Sequence, residues 1–396
     1  MPAHIVKAAK TTNAPLLHLF AKSAFFGNSI LTLWQYKAIP ITMIFHHPDK
    51  NLAQKQKKHR IVPIFIPFAG CPQRCIFCGQ DVQTGHPVEP SHHSLAHLQK
   101  IMEQREAQGA KQGLEPVEVA FYGGTFTALK KDTQMAFLDC AQHWRTKGLV
   151  TAVRCSTRPD CIDYDWLCTL KERGLDMIEL GVQSFHKEAL HVSRRAYEAA
   201  AVYKAIDDLR RVGMPFGIQL LPAMPEVTPD IFLDDMQKAL TLGPSCMRLY
   251  PCLVLEGTGL AAWWREGRYA PWSLDTTVPV LAKALLMAWK ADVPIIRIGL
   301  NQDEALEKAV LAGPVHPALG GMVKAEALRL YITEKIQELG TQSHESKPSY
   351  ALQVPRQWRG LFWGHANSLV AGYAALGISK DDVTWHDEEY FTIKKA

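Results

Sequence analysis

Short apolar runs rich in β-branched residues recur along the chain, separated by longer segments in which apolar residues return every three to four positions. The short runs are typical of buried strands, and the longer segments are typical of amphipathic helices. The predicted strands are Ile61–Phe68, Val117–Tyr122, Ala152–Ser156, Met177–Val182, Phe216–Leu221, Met247–Pro251 and Ile295–Gly299. The predicted helices are Ser91–Gln108, Lys131–Lys147, Tyr164–Arg173, Tyr197–Val212, Pro229–Leu242 and Val278–Ala291.

The order of these elements predicts an α/β fold. Strand followed by helix, repeated along one chain, indicates βα units and a parallel sheet. Six or seven such units over about 240 residues favour a complete or partial (β/α) barrel of the TIM type over a doubly wound sheet. Chemistry in such barrels lies at the C-terminal ends of the strands and in the loops that follow them. Each functional motif should therefore come directly after a predicted strand.

Three parts are predicted along the chain. Residues 1–59 form an N-terminal extension that ends in a basic linker, and residues 60–300 form the barrel. Residues 301–396 form a C-terminal α+β extension with a helix at Val323–Leu339 and a closing strand at Val383–Lys394. Met43 offers a second start for translation, so we expect residues 1–42 to be partly dispensable.

Composition narrows the class of protein. Of the 396 residues, 47% are hydrophobic and 21% are charged, which suits a large ordered core rather than a disordered chain. Nine cysteines, a small and odd number, argue against a disulfide scaffold. The net charge of +5 permits an anionic partner without predicting one. The uncharged stretch from Ser23 to Tyr36 is shorter than a membrane span, so we expect a soluble cytoplasmic protein.

The most specific motif is GCPQRCIFCGQ, in which Cys71, Cys75 and Cys78 follow the first predicted strand. Cysteine thiolates are the usual ligands of iron–sulfur clusters, and three of them on a four-iron cluster leave one iron open to another ligand. A zinc site is one alternative, although it normally needs four ligands arranged in C-x2-C pairs. Three inert, buried thiols are the other alternative. The spacing favours the open cluster.

The triplet C-x3-C-x2-C, with the aromatic Phe77 before its last cysteine, resembles the motif of the radical S-adenosylmethionine enzymes. The resemblance implies a [4Fe–4S] cluster whose open iron is chelated by S-adenosylmethionine. It also implies reductive cleavage of that cofactor to a 5′-deoxyadenosyl radical, which abstracts a hydrogen atom from the substrate. An external electron donor of the flavodoxin or ferredoxin type is implied as well. The barrel is then expected to be a partial one of this enzyme class.

Further motifs follow the second and third strands. A Gly-Gly turn is weak by itself, but here it comes after the cysteine triplet, where the resemblance implies a loop that holds the methionine amino group. Its candidate residues are Gly123, Gly124 and Thr125. Ser156 and Arg158 end the third strand and are expected to bind the cofactor, since a guanidinium can pair with a carboxylate. The alternative for Arg158 is a surface arginine beside a helix-capping aspartate.

Polar residues also interrupt the later apolar strands. Glu179 lies inside an apolar run, where a carboxylate needs a partner such as a ribose hydroxyl or an arginine. Pairing with Arg158 is one alternative. Interruptions on successive strands predict a polar barrel lumen. The candidate catalytic residues are Glu179, Gln183, Arg248 and Tyr250, Gln219 is a candidate cofactor contact, and Arg297 interrupts the last strand.

The motifs together resemble the radical half of the Elongator catalytic-subunit family. The matching segments are FYGGTFTAL, STRPDCID, IELGVQSF, RLYPCLVLEGTGL, GRYAPW and IRIGL, and HPALGGMV resembles that family's C-terminal extension. The match covers about residues 60–335. The chain after Leu300 is too short for the family's acetyltransferase domain, and the family's Arg-Gly-His-Thr segment reads Arg194-Arg195-Ala196-Tyr197. We therefore expect a related enzyme whose substrate the resemblance does not identify.

Transfer RNA or another RNA is our first expectation for that substrate. It rests on the resemblance, the basic linker and the pairs Arg194-Arg195 and Arg210-Arg211. A small molecule or a tetrapyrrole, as in the anaerobic coproporphyrinogen oxidases, is the alternative within the enzyme class. A non-catalytic protein that carries its cluster and binds RNA or haem is the alternative outside it.

Overall fold

The computed structural model describes residues 42–49, 60–85, 88–112, 115–300, 303–340 and 349–395. The predictions for residues 1–41 and for most of the basic linker lie outside the described residues. The chain divides into two compact units. One spans residues 48–330, and the other combines the segment up to His47 with the segment from Tyr331 onward. The boundaries at residues 59 and 300 stay predictions.

The helices and strands of the described residues are numbered here in chain order. The strands are β1 Thr42–His46, β2 Arg60–Phe65, β3 Val117–Tyr122, β4 Val150–Thr157, β5 Met177–Gln183, β6 Phe216–Leu220, β7 Cys246–Leu249, β8 Val254–Leu255, β9 Ile295–Ile298, β10 Val310–Ala312, β11 Tyr350–Pro355, β12 Val383–His386 and β13 Tyr390–Lys395. The α-helices are α1 Gln80–Thr84, α2 Ser91–Gln112, α3 Lys131–Thr146, α4 Tyr164–Glu172, α5 Lys187–Val192, α6 Ala199–Val212, α7 Pro229–Thr241, α8 Gly259–Arg265, α9 Leu274–Lys290, α10 Glu304–Ala309, α11 Leu319–Gly340, α12 Arg359–Phe362 and α13 Val370–Ala375.

The larger unit is built on a seven-stranded parallel sheet in the order β2-β3-β4-β5-β6-β7-β9. Neighbouring strands follow one another along the chain, with helices in the connections, as expected for consecutive βα units. Among the described residues the outer strands β2 and β9 do not pair with each other, so the sheet is open. The predicted α/β class and partial barrel are therefore confirmed, and all seven predicted strands are present.

The two faces of the sheet differ in polarity. In β3, the side chains of Val119 and Phe121 are completely buried, and Phe121 stacks on Phe126 with ring centroids 5.1 Å apart. Phe137 of α3 packs on Phe121 at 5.0 Å. Residues of the other parity point to the opposite face, because successive side chains of a strand alternate. The apolar face holds the helices, and the other face is left for the polar residues of the lumen.

Helix α6 shows how the sequence determines one of these covering elements. Its buried residues Val202, Ile206 and Leu209 recur at helical spacing and form one apolar stripe. The helix ends at Gly213, whose φ of 67° is a left-handed conformation that glycine adopts without steric cost. The predicted helix over Tyr197–Val212 is thus present from Ala199, and the residues before it take another role.

The smaller unit contains a four-stranded sheet in the order β1-β13-β11-β12. The single closing strand predicted at Val383–Lys394 is wrong, because two strands occupy this range and pair with opposite sides of β11. Three consecutive acidic residues, 387–389, separate them and break the apolar alternation. Strand β1 was not predicted, although its residues Met43 and Phe45 are buried and alternate with exposed ones.

Candidate active site

The cysteine triplet lies in the loop that joins β2 to α1, at the C-terminal end of the first barrel strand. Backbone hydrogen bonds fold this loop, from Cys71 N to Phe68 O at 3.0 Å and from Cys78 N to Cys75 O at 3.1 Å. Phe77 lies half-buried between the last two cysteines. All nine cysteines of the chain are free thiols. The loop thus brings three of them together at the C-terminal ends of the sheet strands, where the active sites of such barrels lie.

The three thiols act on one another electrostatically. Burial raises the pKa of Cys78, and the neighbouring Cys75 and Cys71 raise it further. Burial also raises the pKa of Cys71. Thiols of this kind are stable as thiolates only beside strong positive charge, which a bound metal centre supplies.

The donor set bears on which metal centre the loop could hold. In the described part of the chain, no three His, Cys, Asp or Glu side chains are placed to hold a single metal ion. A cluster distributes its ligands over several iron atoms, so this finding does not bear on the cysteine loop as a cluster site. Three thiols in one loop fit three ligands of an iron–sulfur cluster.

The Gly-Gly-Thr turn after β3 packs against the cysteine loop. Thr125 N donates to Ala69 O at 2.7 Å, and the Thr125 hydroxyl lies 3.3 Å from Cys71 Sγ. Gly124 has a φ of 59°, and a Cβ on it would lie 2.7 Å from Ile66 O. This glycine is therefore required by the close approach of two backbones. The role of Gly123, Gly124 and Thr125 in holding a ligand stays a prediction.

Gln80 joins the same two loops through one oxygen atom. Its Oε1 accepts hydrogen bonds from Phe68 N at 2.6 Å and from Gly124 N at 2.9 Å. Because Phe68 precedes the cysteines and Gly124 follows β3, one side chain fixes the relative position of both loops. Gln80 was not among the predicted site residues.

Arg158 lies just past the end of β4 with only 4% of its surface exposed. Its Nε and Nη2 donate to Asp160 at 2.9 and 2.7 Å, so the alternative in which Arg158 pairs with Glu179 is wrong. Its Nη1 is buried and has no hydrogen-bond partner among the described residues. The positive charge of Arg158 opposes the rise that burial causes in the pKa of Cys71, so the guanidinium acts electrostatically on the cysteine loop. A buried donor without a partner here indicates a place for an anionic ligand group.

A network of buried polar side chains, here called the lumen network, crosses four strands. Glu179 accepts hydrogen bonds from Arg154 at 3.0 Å, from Arg248 at 3.1 Å and from the Tyr122 hydroxyl at 3.2 Å. Arg154 is also held by Glu118, and Arg248 donates to the Tyr250 hydroxyl at 3.1 Å. The members of the network are Glu118, Tyr122, Arg154, Glu179, Arg248 and Tyr250.

Strand register explains why Arg154 and not Arg158 reaches Glu179. Ser156 of β4 is the ladder partner of Glu179, and Arg154 precedes it by two residues on the same face. By strand alternation Arg158 would point to the same face as Arg154 and Ser156. It follows the last residue of β4, however, and a 3₁₀ turn over Pro159–Cys161 redirects the chain there. Ser156 itself is half-buried on this face. Arg154 and Tyr122 were missed, although a charged residue inside the apolar β4 is the same signal that identified Glu179.

The lumen network keeps Glu179 ionised. Burial by itself would raise its pKa, but hydrogen bonds and charge from Arg248 and Arg154 outweigh burial and hold the pKa below its ordinary value. Burial raises the pKa of Tyr122, and the charge of Glu179 raises it further. Glu179 is thus an anion between two cations, with both of its oxygens engaged.

Gln183 and Gln219 extend the polar face beyond the network. Gln219 Nε2 donates to Gln183 Oε1 at 3.3 Å, and Gln183 ends β5 with a φ of 70°. In the ladders, Gln219 is the partner of Arg248, which is the partner of Arg297. The predicted polar lumen therefore includes a row of polar side chains across β6, β7 and β9, which Gln183 at the end of β5 joins through its hydrogen bond with Gln219.

A cavity of about 480 Å³ adjoins the end of this row. It lies between the segment after β7, the strand β9 and the start of α11. Arg297, His316 and Lys324 line it together with apolar residues. Side chains of this kind can bind phosphate or carboxylate groups.

The segment from Ser193 to Tyr197 also packs on the cysteine loop. Ile76 N donates to Ser193 O at 3.2 Å, and Arg195 Nη1 donates to Cys75 Sγ at 3.4 Å. Arg195 is buried, so it does not belong to an exposed basic pair as expected for an RNA contact. The sequence marked this segment only as a departure from the family's motif, and the contact with Cys75 could not be seen in it.

Family models give the class of this fold and site. Residues 65–239 match the model of the Radical SAM superfamily, and residues 244–329 match that of the Radical SAM C-terminal domain. The two matches together cover more than half of the chain. The chain belongs to the radical SAM superfamily. The predicted family is thereby confirmed.

Individual proteins to which this radical SAM protein is similar include a tRNA uridine(34) acetyltransferase and an Elongator complex protein 3. The chain is 27% identical over 268 residues to a tRNA uridine(34) acetyltransferase of Methanocaldococcus infernus, covering 58% of this chain and 50% of that protein. It is 24% identical over 269 residues to human Elongator complex protein 3, covering 62% and 48%. The chain spans about half the length of these curated relatives.

A solved structure shares the fold. Archaeal Elp3 of Methanocaldococcus infernus with an N-terminal deletion matches with a TM-score of 0.52 and 20% identity, covering 72% of this chain and 64% of that chain. Membership of the radical SAM superfamily implies a [4Fe–4S] cluster and S-adenosylmethionine as cofactors. The three thiols of the cysteine loop and the unpartnered donor of Arg158 fit these two groups. Within the described residues, no helix has the length and apolarity that crossing a membrane requires.

Proposed function

We propose that this radical SAM protein is an enzyme that uses a [4Fe–4S] cluster and S-adenosylmethionine to abstract hydrogen from its substrate. When bound and reduced, the cluster would supply the electron for cleavage of S-adenosylmethionine into methionine and a 5′-deoxyadenosyl radical. The observation that carries the proposal is the cysteine loop at the C-terminal end of β2, with a buried cation on each of two neighbouring segments. An external donor of the flavodoxin or ferredoxin type would supply the electron.

The residues around the cysteine loop have distinct roles in this proposal. Cys71, Cys75 and Cys78 hold the cluster. The Thr125 hydroxyl, 3.3 Å from Cys71 Sγ, orients that ligand. Arg158 offers its unpartnered Nη1 to the carboxylate of S-adenosylmethionine, while Asp160 fixes the rest of its guanidinium. Phe77, Gly123, Gly124 and Ser156 shape the remaining cofactor site.

The lumen network holds the substrate side of the site. Glu179 locks Arg154 and Arg248 in place, which leaves Tyr250 and the amide pair Gln183 and Gln219 as groups that can face a bound molecule. Gln219 is proposed to contact the cofactor, since it lies between Gly181 and Arg248 in the sheet. Preorganised polar groups of this kind orient a substrate without moving during the reaction.

The substrate we propose is a transfer RNA. The relatives of this chain include proteins named for uridine 34 of tRNA. The cavity lined by Arg297, His316 and Lys324 suits a phosphate-bearing molecule. Binding of RNA through phosphate contacts should weaken steeply with rising salt. RNA binding that does not change with salt concentration, or turnover of a small carboxylate instead of RNA, would contradict the RNA proposal.

Anaerobic reconstitution tests the enzyme proposal. We expect the reconstituted protein to release 5′-deoxyadenosine from S-adenosylmethionine when dithionite is added. Cys75→Ala should abolish the cluster absorbance and this release, whereas Cys168→Ala, a half-exposed thiol on α4, should retain both. A protein that holds its cluster and releases no 5′-deoxyadenosine would instead be a cluster-bearing binding protein.

A further inference from the structure

We propose that Arg195 is a positioning residue that raises the reduction potential of the cluster by donating a hydrogen bond to the sulfur of Cys75. The inference rests on the proposed cluster at the cysteine loop. The potential of an iron–sulfur cluster depends on hydrogen bonds to its sulfurs, on the local net charge and on solvent exposure. Arg195 bears on all three, because it is a buried cation that covers one ligand.

The guanidinium of Arg195 is held at several atoms. Its Nη1 lies 3.4 Å from Cys75 Sγ, and its Nη2 donates to Gly181 O and, at 2.7 Å, to the Tyr197 hydroxyl. That hydroxyl also lies 3.0 Å from the carbonyl oxygens of Gly181 and Val182. The end of β5 therefore fixes the direction in which Nη1 points.

The segment that carries Arg195 is itself attached to the cysteine loop. Ser193 O accepts from Ile76 N at 3.2 Å, and Arg194 O accepts from Gln73 Nε2 at 2.5 Å. These two contacts flank Cys75 in the sequence of the loop. The position of the guanidinium relative to the sulfur is thus set by one backbone contact, at Ile76, and one side-chain-to-backbone contact, from Gln73, as well as by the Arg195 side chain itself.

The positive charge of Arg195 is not neutralised by a carboxylate of the described residues. Among the described residues its hydrogen-bond partners are a sulfur, a carbonyl oxygen and a hydroxyl, and it forms no ion pair with a carboxylate. A buried cation without a carboxylate is costly unless an anion lies beside it. Three thiolates on a cluster supply that anion, and reduction adds one more negative charge. The reduced cluster therefore gains more from Arg195 than the oxidised one.

The experiment measures the midpoint potential of the reconstituted cluster without S-adenosylmethionine, by anaerobic redox titration followed by electron paramagnetic resonance. Arg195→Gln should shift the equilibrium toward the oxidised cluster at least tenfold, which is 59 mV more negative for one electron. Arg195→Lys keeps the charge and should shift the potential less. Arg194→Gln makes the same charge change on the exposed neighbour and should leave the potential unchanged.

The outcomes separate this inference from the proposed function. An unchanged potential in Arg195→Gln, or an equal shift in Arg194→Gln, overturns the inference. If Arg195→Gln takes up no cluster, Arg195→Lys provides the test. Cluster uptake by Arg195→Lys with a near-normal potential supports the role of the charge, and no uptake overturns the inference. A wild-type cluster that titrates normally but releases no 5′-deoxyadenosine overturns only the proposed function, and a wild-type protein without a cluster overturns both.

Discussion

Replacing Glu179 by glutamine tests whether the lumen network holds this part of the barrel together. In the described residues, Glu179 is the carboxylate that pairs with Arg248, and it shares Arg154 with Glu118. Glutamine keeps the size of the side chain and part of its hydrogen bonding. The substitution therefore removes one negative charge between two buried guanidinium groups and replaces one accepting oxygen by an NH2 group, which cannot accept their hydrogen bonds.

The magnitude follows from burial. The side chain of Glu179 is 5% exposed and that of Arg248 is 13% exposed, so solvent screens the pair weakly. Breaking a buried ion pair by removing one partner costs about 3–5 kcal/mol, because the other charge remains in a low dielectric. Arg154 keeps Glu118, so we expect the loss to lie near the lower end, at about 3 kcal/mol. Glu266→Gln breaks an exposed pair with Arg268 and should cost less than about 1 kcal/mol.

Urea unfolding of both variants, compared at matched cluster content, gives the change in the free energy of unfolding. The pH dependence supplies a second measurement. Because the pKa of Glu179 in the folded state lies below its ordinary value of 4.5, its stabilising effect is full above that value and is lost as the pH falls through the folded pKa. The difference between wild type and Glu179→Gln should therefore shrink below pH 4.5. Equal losses in the Glu179 and Glu266 variants would refute the reasoning.

Three further substitutions test the cofactor side. Gly124→Ala should lower the free energy of unfolding by about 1–3 kcal/mol more than Gly148→Ala and reduce cluster content, because both glycines have positive φ but only a side chain at Gly124 would meet backbone atoms. Urea unfolding measures the first effect and iron analysis the second, and equal effects of the two substitutions would contradict this reasoning. Thr125→Val should lower cluster content at unchanged unfolding free energy, since it removes the hydroxyl beside Cys71; normal iron and sulfide content would count against this role. Arg158→Ala should weaken S-adenosylmethionine binding at least tenfold in equilibrium dialysis, whereas Arg173→Ala, an exposed ion-pair residue, should not; equal affinities would remove Arg158 from the cofactor site.

The sheet could be predicted because buried parallel strands are contiguous apolar runs. The predicted bounds of β3 agree with the structure, and those of the other six barrel strands differ by three residues at most at either end. Charged residues inside such runs, such as Glu179 and Arg248, are conspicuous, so the polar lumen could be predicted as well. The cysteine loop could be recognised in the sequence because the C-x3-C-x2-C spacing of its cysteines is rare.

Partners across the sheet could not be predicted in the same way. The choice between Arg154 and Arg158 for Glu179 depends on where β4 ends, and a pattern locates strand ends only within a few residues. Arg195 reaches Cys75 through a turn after α5, across a sequence separation of 120 residues. The two C-terminal strands looked like one because their separation rests on three acidic residues and not on a turn-forming glycine or proline.

The strand order of the open sheet has a consequence for how the protein is made. Since each βα unit pairs with the one synthesised just before it, the sheet can grow at one edge while the chain leaves the ribosome. The cysteine loop belongs to the first unit, and the segment that covers Cys75 emerges only after β5. For the time needed to translate about 120 residues, the sulfur of Cys75 lacks this cover, which leaves it open to delivery of iron and to oxidation alike. Cluster insertion before this cover arrives would make synthesis and metallation a single ordered process.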